Sequence, residues 1–129
     1  MTPAQDQNPV VQLCIQGTQA EFNGWIDEAR ALYRQAWEAS TDDYEACIAA
    51  HYMARYQETP EDALAWNLEA LARAEAVGDD RIAGFYPSLY VNLGRSFELL
   101  GQEAEAKQYY RMASDLGLEH QAGYSPLRG

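Results

Sequence analysis

The chain is poor in cations and in reactive side chains. Lys107 is its one lysine, Lys and Arg together number 9 against 20 Asp and Glu, and the net charge is −11. A nucleic-acid surface needs clustered cations that release counterions from phosphates, so this balance argues against a nucleic-acid partner. The acidic excess keeps the surface solvated; its sharper consequence is attraction for a basic peptide. Histidine and cysteine occur twice each. Cys14 and Cys47 fall on different expected helices at no metal or redox spacing and read as reduced, buried thiols, and a zinc site is not expected. Neither G-x-G-x-x-G nor G-x-x-x-x-G-K is present, which leaves no phosphate-cradling loop and no cofactor to expect. No apolar run reaches about eighteen residues, so no membrane partner is expected. The opening Met-Thr-Pro-Ala-Gln-Asp-Gln-Asn-Pro has no basic head or apolar stretch of a secretion signal, which makes a cytoplasmic address the expectation.

What the chain does have is a period. Gly17 and Gly24, then Gly94 and Gly101, stand seven residues apart, and each pair is followed at matching intervals by Ala29, Tyr33 and Ala36 or by Ala106, Tyr110 and Ala113. The middle of the chain keeps the second half of that pattern as Ala63, Asn67 and Ala70. Apolar residues at intervals of three and four predict helices over about 9–22, 25–39, 43–57, 60–77, 81–100 and 102–117, with no convincing strand. Asp42–Asp43, Thr59–Pro60 and Asp79–Asp80 supply start signals, and Gly78 and Gly117 stop signals. Gly84 with Pro87 predicts an uneven entry to the fifth helix, with a kink or a late start near residue 86. Residues 1–8 read as a loose N-terminus, 9–117 as one domain of hairpins over about 9–39, 43–77 and 81–117, and 118–129 as a tail.

Tyr90, Leu93, Gly94 and Phe97 spell Y-x-x-L-G-x-x-F, which resembles the tetratricopeptide repeat signature W-x-x-L-G-x-x-Y, and the match runs on through Gly101, Ala106, Tyr110 and Ala113. The first repeat carries Leu13, Gly17, Ala20, Gly24, Ala29, Tyr33 and Ala36; the second is weakest, with Cys47, Ala50, His51 and Ala54 ahead of Ala63 and Ala70. From Gly17 to His51 is 34 residues and from His51 to Gly94 is 43, an excess expected to lengthen the fourth and fifth helices. The resemblance implies an all-α, right-handed superhelix of three antiparallel helix hairpins, an extended-helix variant. It also implies a concave groove lined by the first helix of each hairpin. That groove is expected to draw on Val11, Cys14, Thr18, Glu21 and Phe22, then Glu45, Ile48, Tyr52, Arg55 and Tyr56, then Ser88, Asn92, Arg95, Glu98 and Leu99. The implied function is a non-catalytic scaffold holding a protein or peptide segment. Tyr52 and Tyr56 are the expected apolar contacts, Arg55 and Arg95 the contacts to acids, Asn92 to backbone amides, and Glu21 and Glu98 to bases. The lysine-built carboxylate clamp known in the family is missing, since Cys14, Thr18, Ala49, Ser88 and Asn92 hold the matching places.

Rival readings attach to particular residues. A peptide-sensing regulatory domain would change curvature near Gly84 to Pro87. A small enzyme would use His51, but no nucleophile or second base is recognisable beside it, and a hydrogen-bonded core or groove histidine is the preferred reading. A final polar-faced helix is not evident, so Tyr109, Met112, Ala113 and Leu116 are expected to stay partly uncovered. Either the tail folds over them or a homodimer forms through this uncapped C-terminal hairpin.

Overall fold

Most helices begin where the sequence offers a partner for the first free amides or a charge for the helix dipole. The computed structural model describes residues 7–78 and 80–118. Asn8 opens α1 (Pro9–Phe22), its side-chain oxygen accepting from Val10 N at 2.8 Å and Val11 N at 3.2 Å. α2 (Ile26–Ala39) has no side-chain cap, but Asp27 and Glu28 stand in its first turn, where the dipole favours negative charge. Asp42 caps α3 (Asp43–Met53) by accepting from Glu45 N at 2.8 Å, and Glu45 reaches back to accept from Thr41 N at 2.9 Å. α3 then tightens into a 3-10 turn over Ala54–Tyr56. Thr59 accepts from Asp62 N at 3.0 Å to start α4 (Pro60–Val77), which ends at Gly78.

The late start of the fifth helix is present: a 3-10 turn over Ala83–Phe85 leads into α5 (Tyr86–Leu99). Pro87 lies in the first turn, where its missing N–H costs no helical bond. α5 therefore has the same 14 residues as α1, and it is not lengthened as the wider period suggested. The extra residues enter α4, 18 residues long, and the connection behind it. Asp80 belongs to that connection rather than to a helix start, its carbonyl accepting from Ala83 N at 3.2 Å, and Asp79 lies outside the described residues. α6 (Glu103–Ala113) passes into a π-helical turn over Ser114–Leu118, so Gly117 falls within a widened turn instead of stopping an α-helix. The rest of the expected tail, 119–129, and most of the expected loose N-terminus, 1–6, also lie outside the described residues.

These six α-helices pair as α1–α2, α3–α4 and α5–α6, three antiparallel hairpins stacked into a tetratricopeptide-like superhelix, with no strand among the described residues. Gly24 and Gly101 turn the first and third hairpins at φ 79° and 77°, a left-handed geometry that other residues adopt at a cost. Gly17 and Gly94 serve a different end. A Cβ on Gly17 would lie 2.3 Å from Tyr33 Cε1, and one on Gly94 would lie 2.7 Å from Tyr110 Cε1. Each glycine is thus the seat of a tyrosine ring within its own hairpin.

Between hairpins, the Tyr33 ring stacks on Tyr52 at 5.1 Å, and Trp37 meets Trp66 edge-on at 4.9 Å. Within the third hairpin, Phe97 stacks on Tyr109 at 5.6 Å. On the outer face of the third hairpin Tyr109 and Met112 are partly exposed and Leu116 is exposed, while Ala113 is buried against Val91.

Candidate binding groove

The first helices of the hairpins lie side by side and are joined by polar bridges. Asn8 Nδ2 donates to Glu45 Oε2 at 2.8 Å, Arg55 Nε donates to Glu21 Oε2 at 2.9 Å, and Asn92 Nδ2 lies 3.1 Å from His51 Nδ1. This gives α1, α3 and α5 one continuous face. Of the residues expected on it, Phe22, Arg55, Ser88, Arg95, Glu98 and Leu99 are exposed, whereas Val11, Thr18, Glu21, Glu45, Ile48, Tyr52, Tyr56 and Asn92 are partly buried. Cys14 is not on it. Its side chain is 2% exposed and packs with Val10, Ala36 and Ala49, because one step around α1 from the hairpin contact already faces the neighbouring hairpin. Burial pushes the thiols of Cys14 and Cys47 up to about 12, so both are inert at neutral pH.

Glu21 is the most heavily bonded group of the face. Burial disfavours its charge, but hydrogen bonds from Tyr56, Tyr33 and Arg55 outweigh this and hold the carboxyl below its usual range. Tyr33 donates to its Oε1 at 2.7 Å, and Tyr110 donates to Glu98 Oε1 at the same distance in the third hairpin. Thr18 turns inward, donating to Cys14 O at 3.0 Å and lying 3.4 Å from the Tyr33 hydroxyl. Glu21, Arg55 and Thr18 are therefore structural members of the groove wall as well as candidates for contact. Arg95 and Leu99 stand more freely: Leu99 is 73% exposed, and Arg95 makes no ion pair among the described residues.

His51 sits between the rings of Tyr52 and Phe85, with centroids 5.1 and 5.0 Å away. Burial, and after it the charge of Arg55, lowers its pKa to about 4. The imidazole is neutral at pH 7 and accepts the Asn92 bond at Nδ1. In the unfolded chain the same group titrates near 6.5, so the unfolded state takes up the proton first as pH falls. Stability is complete above about pH 6.5 and should fall toward pH 4, by roughly 3 kcal/mol from this residue. Denaturant melts across that window should show the slope, and His51→Gln should flatten it; an unchanged slope in the variant would remove His51 from the account.

Two clefts open on this face. One of about 450 Å³ lies between the second and third hairpins, lined by His51, Arg55, Tyr56, Asn67, Asn92, Arg95, Ser96 and Leu99 among others. The other, about 320 Å³, lies beside Ile48, Tyr52, Arg81 and Phe85. Asn67 and Ser96 were not singled out for the groove by sequence reasoning. The available signal was that Asn67 stands where the other two hairpins have Tyr33 and Tyr110. Among the described residues no three His, Cys, Asp or Glu side chains converge on a metal-sized space, and no helix is long and apolar enough to cross a membrane.

Comparison with known proteins agrees with the third hairpin. A tetratricopeptide repeat family model matches residues 87–116. This hairpin is similar to a tetratricopeptide repeat. No curated protein and no solved structure matched the chain. The fold is that of a helical-repeat scaffold suited to protein or peptide interaction.

Proposed function

We propose that the protein is a non-catalytic scaffold that holds a protein or peptide segment along the face of α1, α3 and α5. The observation that carries this reading is that the face is left unfilled, with an open cleft of about 450 Å³ lined by His51 and Asn92 and another of about 320 Å³ lined by Ile48, Tyr52 and Phe85. A stack that arranges this face in advance spares the receptor the entropy of ordering on binding. Phe22, Tyr56 and Leu99 stand at matching places at the ends of the three first helices and offer apolar contact, while Arg55, Arg95 and Asn92 offer donors to a segment's carboxylates and carbonyls. His51 supports the scaffold over a hydrolase: an imidazole with a pKa of about 4, its Nδ1 already bonded, is a poor general base at neutral pH.

Panning a displayed peptide library against the protein tests the reading. Selected peptides should lose about tenfold or more in affinity for a Phe22→Ser, Arg95→Glu, Leu99→Ser variant, which changes exposed residues only. Leu68→Ser, at an exposed leucine of α4, should leave binding intact. Peptides that ignore the groove changes, or respond equally to Leu68→Ser, would place binding elsewhere.

A further inference from the structure

The two junctions between hairpins can be compared residue by residue, because the repeat sets Tyr33 against Asn67, Tyr52 against Arg95, Met53 against Ser96 and Tyr56 against Leu99. At the first junction the space lined by Tyr33, Tyr52, Met53 and Tyr56 is about 110 Å³. At the second, the space lined by their counterparts is about 450 Å³. The first is closed by the stacked Tyr33 and Tyr52 rings. The second has an amide and an arginine in their place.

The change is concerted. In the outer hairpins a glycine seats a tyrosine ring and a glutamate accepts its hydroxyl, as Gly17, Tyr33 and Glu21 do, and again Gly94, Tyr110 and Glu98. In the middle hairpin the three places hold His51, Asn67 and Arg55. A phenol and its acceptor are gone together, and the wall that remains has an unmet need. Asn67 is 6% exposed; its Nδ2 donates to Ser96 Oγ at 2.9 Å, and its Oδ1 is buried with no donor among the described residues. Buried acceptors are almost always paired, and Asn67 lines the cleft, so a rotation of its amide would present this oxygen to an incoming O–H or N–H.

We propose, building on the groove reading, that the cleft between the second and third hairpins is a socket for a phenol ring, whose hydroxyl donates to Asn67 Oδ1 while Arg95 takes a carboxylate beside it. An aromatic ring supplies contact area against Tyr56, Pro60, Ala63 and Leu99, and the cleft volume lies within the roughly 300–1,000 Å³ typical of small-ligand sites. Arg55 is engaged by Glu21, which leaves Arg95 as the cation open to an acid. The ring comes from a tyrosine next to an acidic residue in a partner segment or from a free phenolic acid. The chemistry is the same, and the test separates the sources.

Isotope-labelled protein is titrated with 4-hydroxyphenylacetate and phenylacetate, and with acetyl-Asp-Tyr-Glu-Gly-amide and its Phe counterpart, following amide signals by NMR. The hydroxyl-bearing member of each pair should shift Ser96 and the Asn67 side-chain amide and bind about tenfold tighter, since a site built for a hydroxyl penalises its loss. Arg95→Glu, at an exposed position, should weaken both hydroxyl-bearing probes by about tenfold. Tighter binding of the peptide assigns the source to a protein partner, and tighter binding of the small acid to a free metabolite; either upholds the socket. Equal affinity with and without the hydroxyl, or no shift at Asn67 and Ser96 at millimolar probe, overturns it. Library peptides that bind the groove without any tyrosine would defeat the socket while sparing the scaffold reading.

Discussion

Tyr33→Ala should destabilise the protein by about 3 to 5 kcal/mol, and Tyr33→Phe by only about 1 kcal/mol. The ring is 1% exposed, rests on Gly17, stacks on Tyr52 and reaches Glu21 through its hydroxyl, so truncation opens a void at a hairpin contact and at a junction at once. Phenylalanine keeps the packing and gives up one hydrogen bond to a carboxylate that retains Arg55 and Tyr56. Denaturant unfolding monitored by circular dichroism distinguishes the two. If alanine and phenylalanine cost the same, the hydroxyl rather than the ring holds the first junction.

A second large effect is expected from rebuilding the middle hairpin in the image of its neighbours. Asn67→Tyr alone places a ring where His51 occupies the seat that is glycine elsewhere, and such overpacking should cost roughly 1 to 3 kcal/mol. His51→Gly alone removes the Asn92 bond and the contacts with Tyr52 and Phe85. Together the changes restore the pairing of Gly17 with Tyr33, so the double variant should be more stable than the sum of the single effects by about 0.5 to 3 kcal/mol. Strict additivity in the four-protein cycle would mean that residues 51 and 67 do not share the space, and the comparison of junctions would lose its basis.

The parts of this architecture that were legible in the sequence are those written as short-range spacing. The glycine and tyrosine of each outer hairpin, the caps at Asp42 and Thr59 and the delayed entry at Pro87 depend on neighbours within a few turns. Asn8 before Pro9 is an equally local start signal. A period gives only the number of extra residues; the left-handed Gly78 and the Pro87 entry decide that they extend α4 and a connection but not α5. Of the residues expected along the first helices, Cys14 packs between hairpins instead. Their mutual bonds were not legible, although Glu21 and Arg55 stand one repeat of 34 residues apart and so were bound to be neighbours. The large cleft was hardest to foresee, since it arises from side chains too small to close a space, and the repeat pattern registered Asn67 only as a tolerated substitution.

The charges at the matching places 21, 55 and 98 alternate as Glu, Arg, Glu. In the native order the first two meet as an ion pair of 2.9 Å. A misassembled chain that set the first hairpin directly against the third would bring two carboxylates together instead, each bonded to the tyrosine of its own hairpin and neither offered a cation by the other. The arginine at the centre thus works as an address label, since the carboxylate of the first hairpin meets an opposite charge when the second hairpin is its neighbour.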